Sequence, residues 1–165
     1  WVHSAIIGFK AGLTASVNLP ALSFSVPEGM YLQLSYRHSV LWNSLEAIWG
    51  HIVAEGLEEQ AIVMVVCPLG RTALPGPGGT NQRWPTTSYL FFGAGIEGNR
   101  VVGATDRRML PREIDPETLE VVDAGGIILT TAHIHAALRE LLEISDDPLA
   151  DEYPLDVPIL PIFGQ

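Results

Sequence analysis

One apolar run constrains this chain more than any other feature. Residues 61–67 (AIVMVVC) are all apolar and rich in Val and Ile. Continuous apolarity over this length predicts a strand that is buried on both faces of a parallel sheet. We therefore expect the run at the centre of a sheet, with helices over residues 39–55 and 132–144 packed on its faces.

The segment after this run is where a site is expected. α/β proteins usually bind their ligands in the crevice beyond the carboxyl ends of the strands. Here the chain continues as residues 68–84 (PLGRTALPGPGGTNQRW), which contain no Asp, Glu, His or Ser. Arg71 and Arg83, together with backbone N–H groups of the glycine-rich loop, are candidates for binding a phosphate, sulfate or carboxylate without catalysis.

Composition narrows the classes of partner. The chain is 47% hydrophobic and 17% charged, whereas a typical soluble domain is roughly 25% charged. This imbalance predicts additional buried surface, and therefore a protein partner, a homo-oligomer or an absent half-domain. The net charge of −10 argues against nucleic acid or an anionic membrane as a partner, because phosphate binding requires a basic patch. No apolar run approaches the roughly 18 residues of a membrane span.

Helix and strand signals alternate along the chain and predict one α/β domain over residues 1–165. We expect a mostly parallel or mixed sheet flanked by helices, with further strands over residues 89–92 and 99–102. Residues 107–126 are polar and acidic, which is typical of a surface excursion that can include a hairpin. Residues 145–165 are acidic and proline-rich, and this composition predicts an extended tail laid over the domain.

Several chemical motifs are better explained by structure than by catalysis. Residues 93–98 (GAGIEG) match the dinucleotide fingerprint, but a strand signal follows them instead of a helix, so they predict a turn with positive φ. Cys67 is the only cysteine, and its place within a strand indicates a buried structural thiol. His133 and His135 stand two positions apart on a predicted helix, where they point in different directions and cannot share one metal ion.

Two further polar residues have both a structural and a functional interpretation. Asp106 lies beside Arg107 and Arg108, and a loop carboxylate next to arginine is commonly structural. His38 lies at the edge of a predicted amphipathic helix and fits an ordinary boundary histidine. From residue chemistry alone, the sequence shows no complete catalytic constellation.

Six segments resemble a known family, the first of them residues 9–19 (FKAGLTASVNL). Residues 91–106 (FFGAGIEGNRVVGATD), 69–72 (LGRT), 83–88 (RWPTTS), 128–141 (ILTTAHIHAALREL) and 160–164 (LPIFG) resemble the C-terminal half of the "domain of unknown function 1501" proteins. These are exported bacterial proteins of the alkaline phosphatase/sulfatase superfamily. The resemblance implies a partial alkaline phosphatase-like fold, metal ligands on loops at strand ends, and a periplasmic or extracytoplasmic location. The chain starts at Trp1 without a signal-peptide pattern, so we expect a processed or trimmed product.

The positions that hold metal ligands in that family carry other residues here. Pro68 replaces an acidic residue before the LGRT segment, and Gln82 and Arg83 replace an aspartate–histidine pair before Trp84. The phenylalanine–aspartate–threonine–histidine motif of the family aligns with residues 30–33 (MYLQ), where His38 is a candidate for a displaced ligand. An arginine places a fixed positive charge where a cation would bind, and it favours an anion instead.

The resemblance therefore leads to two functional hypotheses. The first is a metal-free and non-catalytic binding or assembly subunit without a cofactor, with Arg71, Thr72, Gln82 and Arg83 as anion-binding candidates. The second is a divergent phosphate or sulfate ester hydrolase that uses zinc, calcium or manganese and is completed by another chain. Two-metal hydrolysis requires several carboxylates and imidazoles, and the residual candidates are His38, Asp106, His133 and His135.

Overall fold

The computed structural model describes residues 1–19, 24, 30–72, 74, 76 and 81–164. Its helices are α1 (Val2–Lys10), α2 (Met30–Ala54), α3 (Thr131–Leu141) and α4 (Pro148–Glu152). Its strands are β1 (Ile62–Val66), β2 (Gly70–Arg71), β3 (Arg83–Trp84), β4 (Tyr89–Gly93), β5 (Glu113–Ile114) and β6 (Ile127–Ile128). The chain divides into two compact units, the first with Trp1–Ala61 and Leu74–Gln82, the second with Ile62–Ala73 and Arg83–Gln165.

The first unit is built on α1 and α2. Ile6 of α1 and Leu45 and Ile52 of α2 are buried, as expected for the apolar stripes of two amphipathic helices. Helix α2 begins at Met30, before the predicted start at residue 39. Ser39 lies within the helix, and its hydroxyl donates to the Ser35 carbonyl one helical turn earlier, at 3.0 Å.

Strand β1 differs most from the sequence-based expectation. It pairs antiparallel with β4, with Met64 opposite Phe91 and Val66 opposite Tyr89. The sheet has two strands among the described residues, and Met64 and Val66 are 41% and 43% exposed. The prediction of a central strand in a parallel sheet was wrong, because continuous apolarity does not specify the pairing partner or its direction. We call β1 and β4 together the apolar ribbon.

The core of the second unit forms around the chain's C-terminal residues. Ile114 is fully buried and is surrounded by Ala137 of α3 and by Leu160, Ile162 and Phe163. The Phe163 ring meets Phe91 edge to face, at a centroid distance of 5.1 Å. Strand β5, which carries Ile114, pairs with β6. The predicted surface excursion over residues 107–126 therefore contains the most buried side chain among the described residues.

The proline-rich segment over residues 145–165 is not a uniformly extended tail. It contains α4, whose first turn is capped by Asp147 accepting a hydrogen bond from the Leu149 N–H at 2.8 Å. Residues 160–163 then enter the core, where Leu160 is only 2% exposed. The structure thus includes helical and buried parts where the sequence predicted a surface layer.

The glycine-rich segment after β4 forms a turn, as predicted. Gly93 and Gly95 have positive φ values of 119° and 70°, which glycine adopts without steric cost. The predicted strand over residues 99–102 is absent. Instead, the Arg100 guanidinium donates to the carbonyls of Pro161, at 3.0 Å, and Ile162, so this loop holds the C-terminal segment.

Candidate functional site

The two loop arginines lie opposite each other on neighbouring strands. Strands β2 and β3 pair antiparallel, with Gly70 opposite Trp84 and Arg71 opposite Arg83. Residues that face each other in an antiparallel pair point to the same side, with Cβ atoms about 4.5–5.5 Å apart. Both arginines are exposed, so the pairing gathers two positive charges on one accessible face.

Backbone packing keeps this pair of strands close. A Cβ atom on Gly70 would lie 1.7 Å from the Thr86 carbonyl oxygen and 3.0 Å from that of Trp84. Only glycine permits this approach of the two backbones. On the other strand, the Trp84 indole N–H donates to the Met109 carbonyl at 2.7 Å. Both strands are therefore fixed beside the arginines, which the sequence alone did not indicate.

The other two anion-binding candidates flank the paired arginines in sequence. Thr72 directly follows β2 and is half-buried, while Gln82 directly precedes β3 and is exposed. Gln82 belongs to the first compact unit, and Thr72 to the second. Residues 73, 75 and 77–80 of the glycine-rich loop lie outside the described residues, and so does the predicted contribution of their backbone N–H groups.

Asp106 organises a turn. Its Oδ1 accepts hydrogen bonds from the backbone N–H groups of Leu110, at 2.9 Å, and Arg108, at 2.8 Å. These hydrogen bonds, that of Leu110 first, lower the pKa of the Asp106 carboxyl below its usual value. An ionised carboxylate engaged by two backbone donors has an evident structural role, which agrees with the structural interpretation of this residue.

His133 caps the start of α3. Its Nδ1 accepts a hydrogen bond from the Thr130 backbone N–H at 3.1 Å and lies 2.8 Å from the Thr130 hydroxyl. Because a backbone N–H can only donate, Nδ1 carries a lone pair and the ring proton is assigned to Nε2. His133 is buried, and this burial lowers the pKa of its imidazole. The N-cap residue of α3 is Thr130.

The two remaining candidates are His135 and His38. His135 is exposed on α3, and His38 belongs to the first unit, where its ring lies 5.1 Å from that of Phe24. Within the described ranges, no three side chains of His, Cys, Asp or Glu are arranged to hold a metal ion. Cys67 is exposed, so the prediction of a buried thiol was wrong, because the ribbon leaves its end uncovered.

Comparisons with known proteins add no further assignment. Neither the protein-family models, the curated proteins nor the solved structures include a match to this chain. Among the described helices, none has both the length and the apolarity required to cross a membrane.

Proposed function

We propose that this chain is a non-catalytic, metal-free relative of alkaline phosphatase/sulfatase-type hydrolases and acts as an assembly subunit outside the cytoplasm. The family relationship and the location rest on the sequence resemblance described above. The observation that carries the assembly role is the exposure of the apolar ribbon. Met64 and Val66 of β1 lie on one face of the ribbon and Leu90 of β4 on the other, and each is 37–43% exposed. Exposed apolar surface commonly marks sites of protein association.

The positions of the candidate catalytic residues support a non-catalytic role. Asp106 is held by backbone donors within its own turn, and the Nδ1 atom of His133 is engaged by Thr130. A metal-dependent hydrolase needs imidazoles and carboxylates that are free to bind the ions and to activate a nucleophile. Both groups stabilise local structure here.

The occupant that the ribbon fits best is a second copy of the same chain. Among the described strands, β1 pairs only with β4, so its other edge is unpaired, and an unpaired edge is a template for another strand. Two copies with a net charge of −10 each repel one another over most of their surfaces. Residues 61–67 carry no charged side chain, so contact through β1 brings no like charges together.

Size-exclusion chromatography with light scattering tests this proposal. We expect wild-type protein to form a dimer or larger oligomer, and Val66→Lys to shift it towards monomer, because lysine on an edge strand opposes pairing. Val101→Lys is the matched control, since Val101 is 92% exposed but lies outside the ribbon. A wild-type monomer at all concentrations, or an equal effect of both substitutions, would contradict self-association.

Elemental analysis of the purified protein tests the metal-free part separately. We expect far less than one equivalent of zinc, calcium or manganese per chain. Near-stoichiometric metal that is lost in an Asp106→Asn or His133→Asn variant would contradict the proposal and favour the ester hydrolase hypothesis.

A further inference from the structure

We propose that the β2–β3 pair binds a tetrahedral oxyanion, phosphate or sulfate, between the side chains of Arg71 and Arg83. This inference rests on the proposed function, because it names a ligand class for a site without catalytic groups. The two arginines are register partners on adjacent antiparallel strands and both are exposed. Their guanidinium groups can therefore reach one ligand from the same face.

The charge arrangement favours an anion between them. Like charges directly opposite each other across two strands are destabilising, and within the described part of the chain no carboxylate forms an ion pair with Arg83. A dianion placed between the two guanidinium groups is attracted to both of them. Arginine also presents planar N–H pairs that match the oxygens of phosphate and sulfate, and this match gives short, charge-assisted hydrogen bonds.

The backbone around the arginines is already fixed, which reduces the entropy lost on binding. Gly70 lies against the carbonyl groups of Thr86 and Trp84 with no room for a side chain. Trp84, the neighbour of Arg83, is anchored through its indole N–H to Met109. These contacts hold the two Cα positions in register without involving the guanidinium groups themselves.

Titration calorimetry with sodium sulfate and sodium phosphate tests the inference, with sodium acetate and sodium chloride at matched ionic strength as comparisons. We expect Arg83→Gln to weaken sulfate and phosphate binding by at least about tenfold, because a charge-assisted hydrogen bond is lost. Arg83→Lys should restore only part of the affinity, since lysine lacks the planar fork. Arg107→Gln is the matched control, because it removes an exposed arginine outside this strand pair.

Unchanged binding in folded Arg83→Gln, or an equal loss in Arg107→Gln, would overturn the inference and indicate general charge attraction. Stronger binding of acetate than of sulfate would overturn the choice of a tetrahedral anion. Circular dichroism verifies that each variant is folded, and Arg83→Lys keeps the test valid if Arg83→Gln is unstable. Light scattering on the same samples separates the two proposals: oligomeric protein without anion binding refutes only this inference, whereas monomeric protein that binds sulfate refutes only self-association.

Discussion

Two apolar segments of the second unit have degrees of burial opposite to those that their sequences predict. Strand β1 (Ile62–Val66) is the more continuously apolar, yet Met64 and Val66 are more than 40% exposed. Residues 160–163 (LPIF) lie in an acidic, proline-rich stretch, yet Leu160, Ile162 and Phe163 are at most 8% exposed. The comparison shows that burial depends on which partners the chain brings to a segment, and not on the apolarity of the segment alone.

The partners of the two segments explain the difference. Residues 160–163 meet Ile114, Ala137 and the ring of Phe91, and the Arg100 guanidinium binds two of their backbone carbonyls. Arg100 thereby supplies hydrogen-bond donors to backbone carbonyls in a segment where proline interrupts regular backbone hydrogen bonding. Strand β1 has β4 as its only strand partner among the described residues. Its outer edge and part of its side-chain surface remain available.

The largest effect is expected from truncating the buried segment. Leu160→Ala should lower the free energy of unfolding by about 3 kcal/mol, because it removes buried methyl groups and leaves a cavity. Val66→Ala on the ribbon should cost less than about 1 kcal/mol in the monomer. Chemical denaturation at low protein concentration measures both. Equal costs would show that the ribbon is as well packed as the core, and would contradict the difference in packing between the two segments.

A smaller effect is expected from releasing the backbone of the buried segment. Arg100→Gln removes the hydrogen bonds to the Pro161 and Ile162 carbonyls and the ion pair with Glu97 at 2.8 Å. We expect a loss of about 1–2 kcal/mol, since the carbonyls lose a charged donor. Denaturant unfolding checks the value, with Arg107→Gln as the control. A neutral result would show that apolar packing alone holds residues 160–163 in place.

The free energy of unfolding should also depend on pH, because the second unit contains the buried His133. Burial lowers the pKa of His133 below 6.5, so the folded state favours the neutral ring and the unfolded state binds more protons. This contribution to stability is therefore fully present above about pH 6.5 and declines as the pH falls below that value.

Thermal unfolding between pH 7.5 and 5 measures this slope. His133→Asn should flatten it, whereas His135→Gln at an exposed position of the same helix should leave it as in the parent protein. The lowered pKa values of Glu55, Asp106 and Asp115 act at more acidic pH, outside this window. A parent slope that persists in His133→Asn would assign the effect to another group.

The smallest effect concerns stability at the exposed strand. Val66→Thr keeps the β-branched shape and should change the free energy of monomer unfolding by less than about 0.5 kcal/mol. It should nevertheless weaken association, because it places a hydroxyl in the contact region. Denaturation and light scattering measure the two quantities separately. A large loss of monomer stability would show that Val66 is a core residue.

The sequence predicted local features better than the partners of those features. The amphipathic stripe of α2, the β1 and β4 segments, and the glycine turn at residues 93–98 all follow from local periodicity and backbone preference. The direction of β1, the burial of residues 160–163 and the anchoring of Trp84 by Met109 depend on contacts between distant residues. Among the candidate site residues, Arg71 and Arg83 are brought together by the pairing of β2 with β3. Asp106 and His133 instead accept hydrogen bonds from nearby backbone N–H groups.

Hydrogen exchange measured by mass spectrometry tests whether β1 is an assembly surface while residues 160–163 are core, because it follows both apolar segments in one experiment. If β1 is an assembly surface, its amides exchange more slowly as the protein concentration rises, whereas the amides of Leu160, Ile162 and Phe163 are protected equally at all concentrations. Val66→Lys should abolish the concentration dependence and leave the protection of residues 160–163 intact. Exchange in β1 that does not change with concentration in the wild-type protein would contradict self-assembly through this strand.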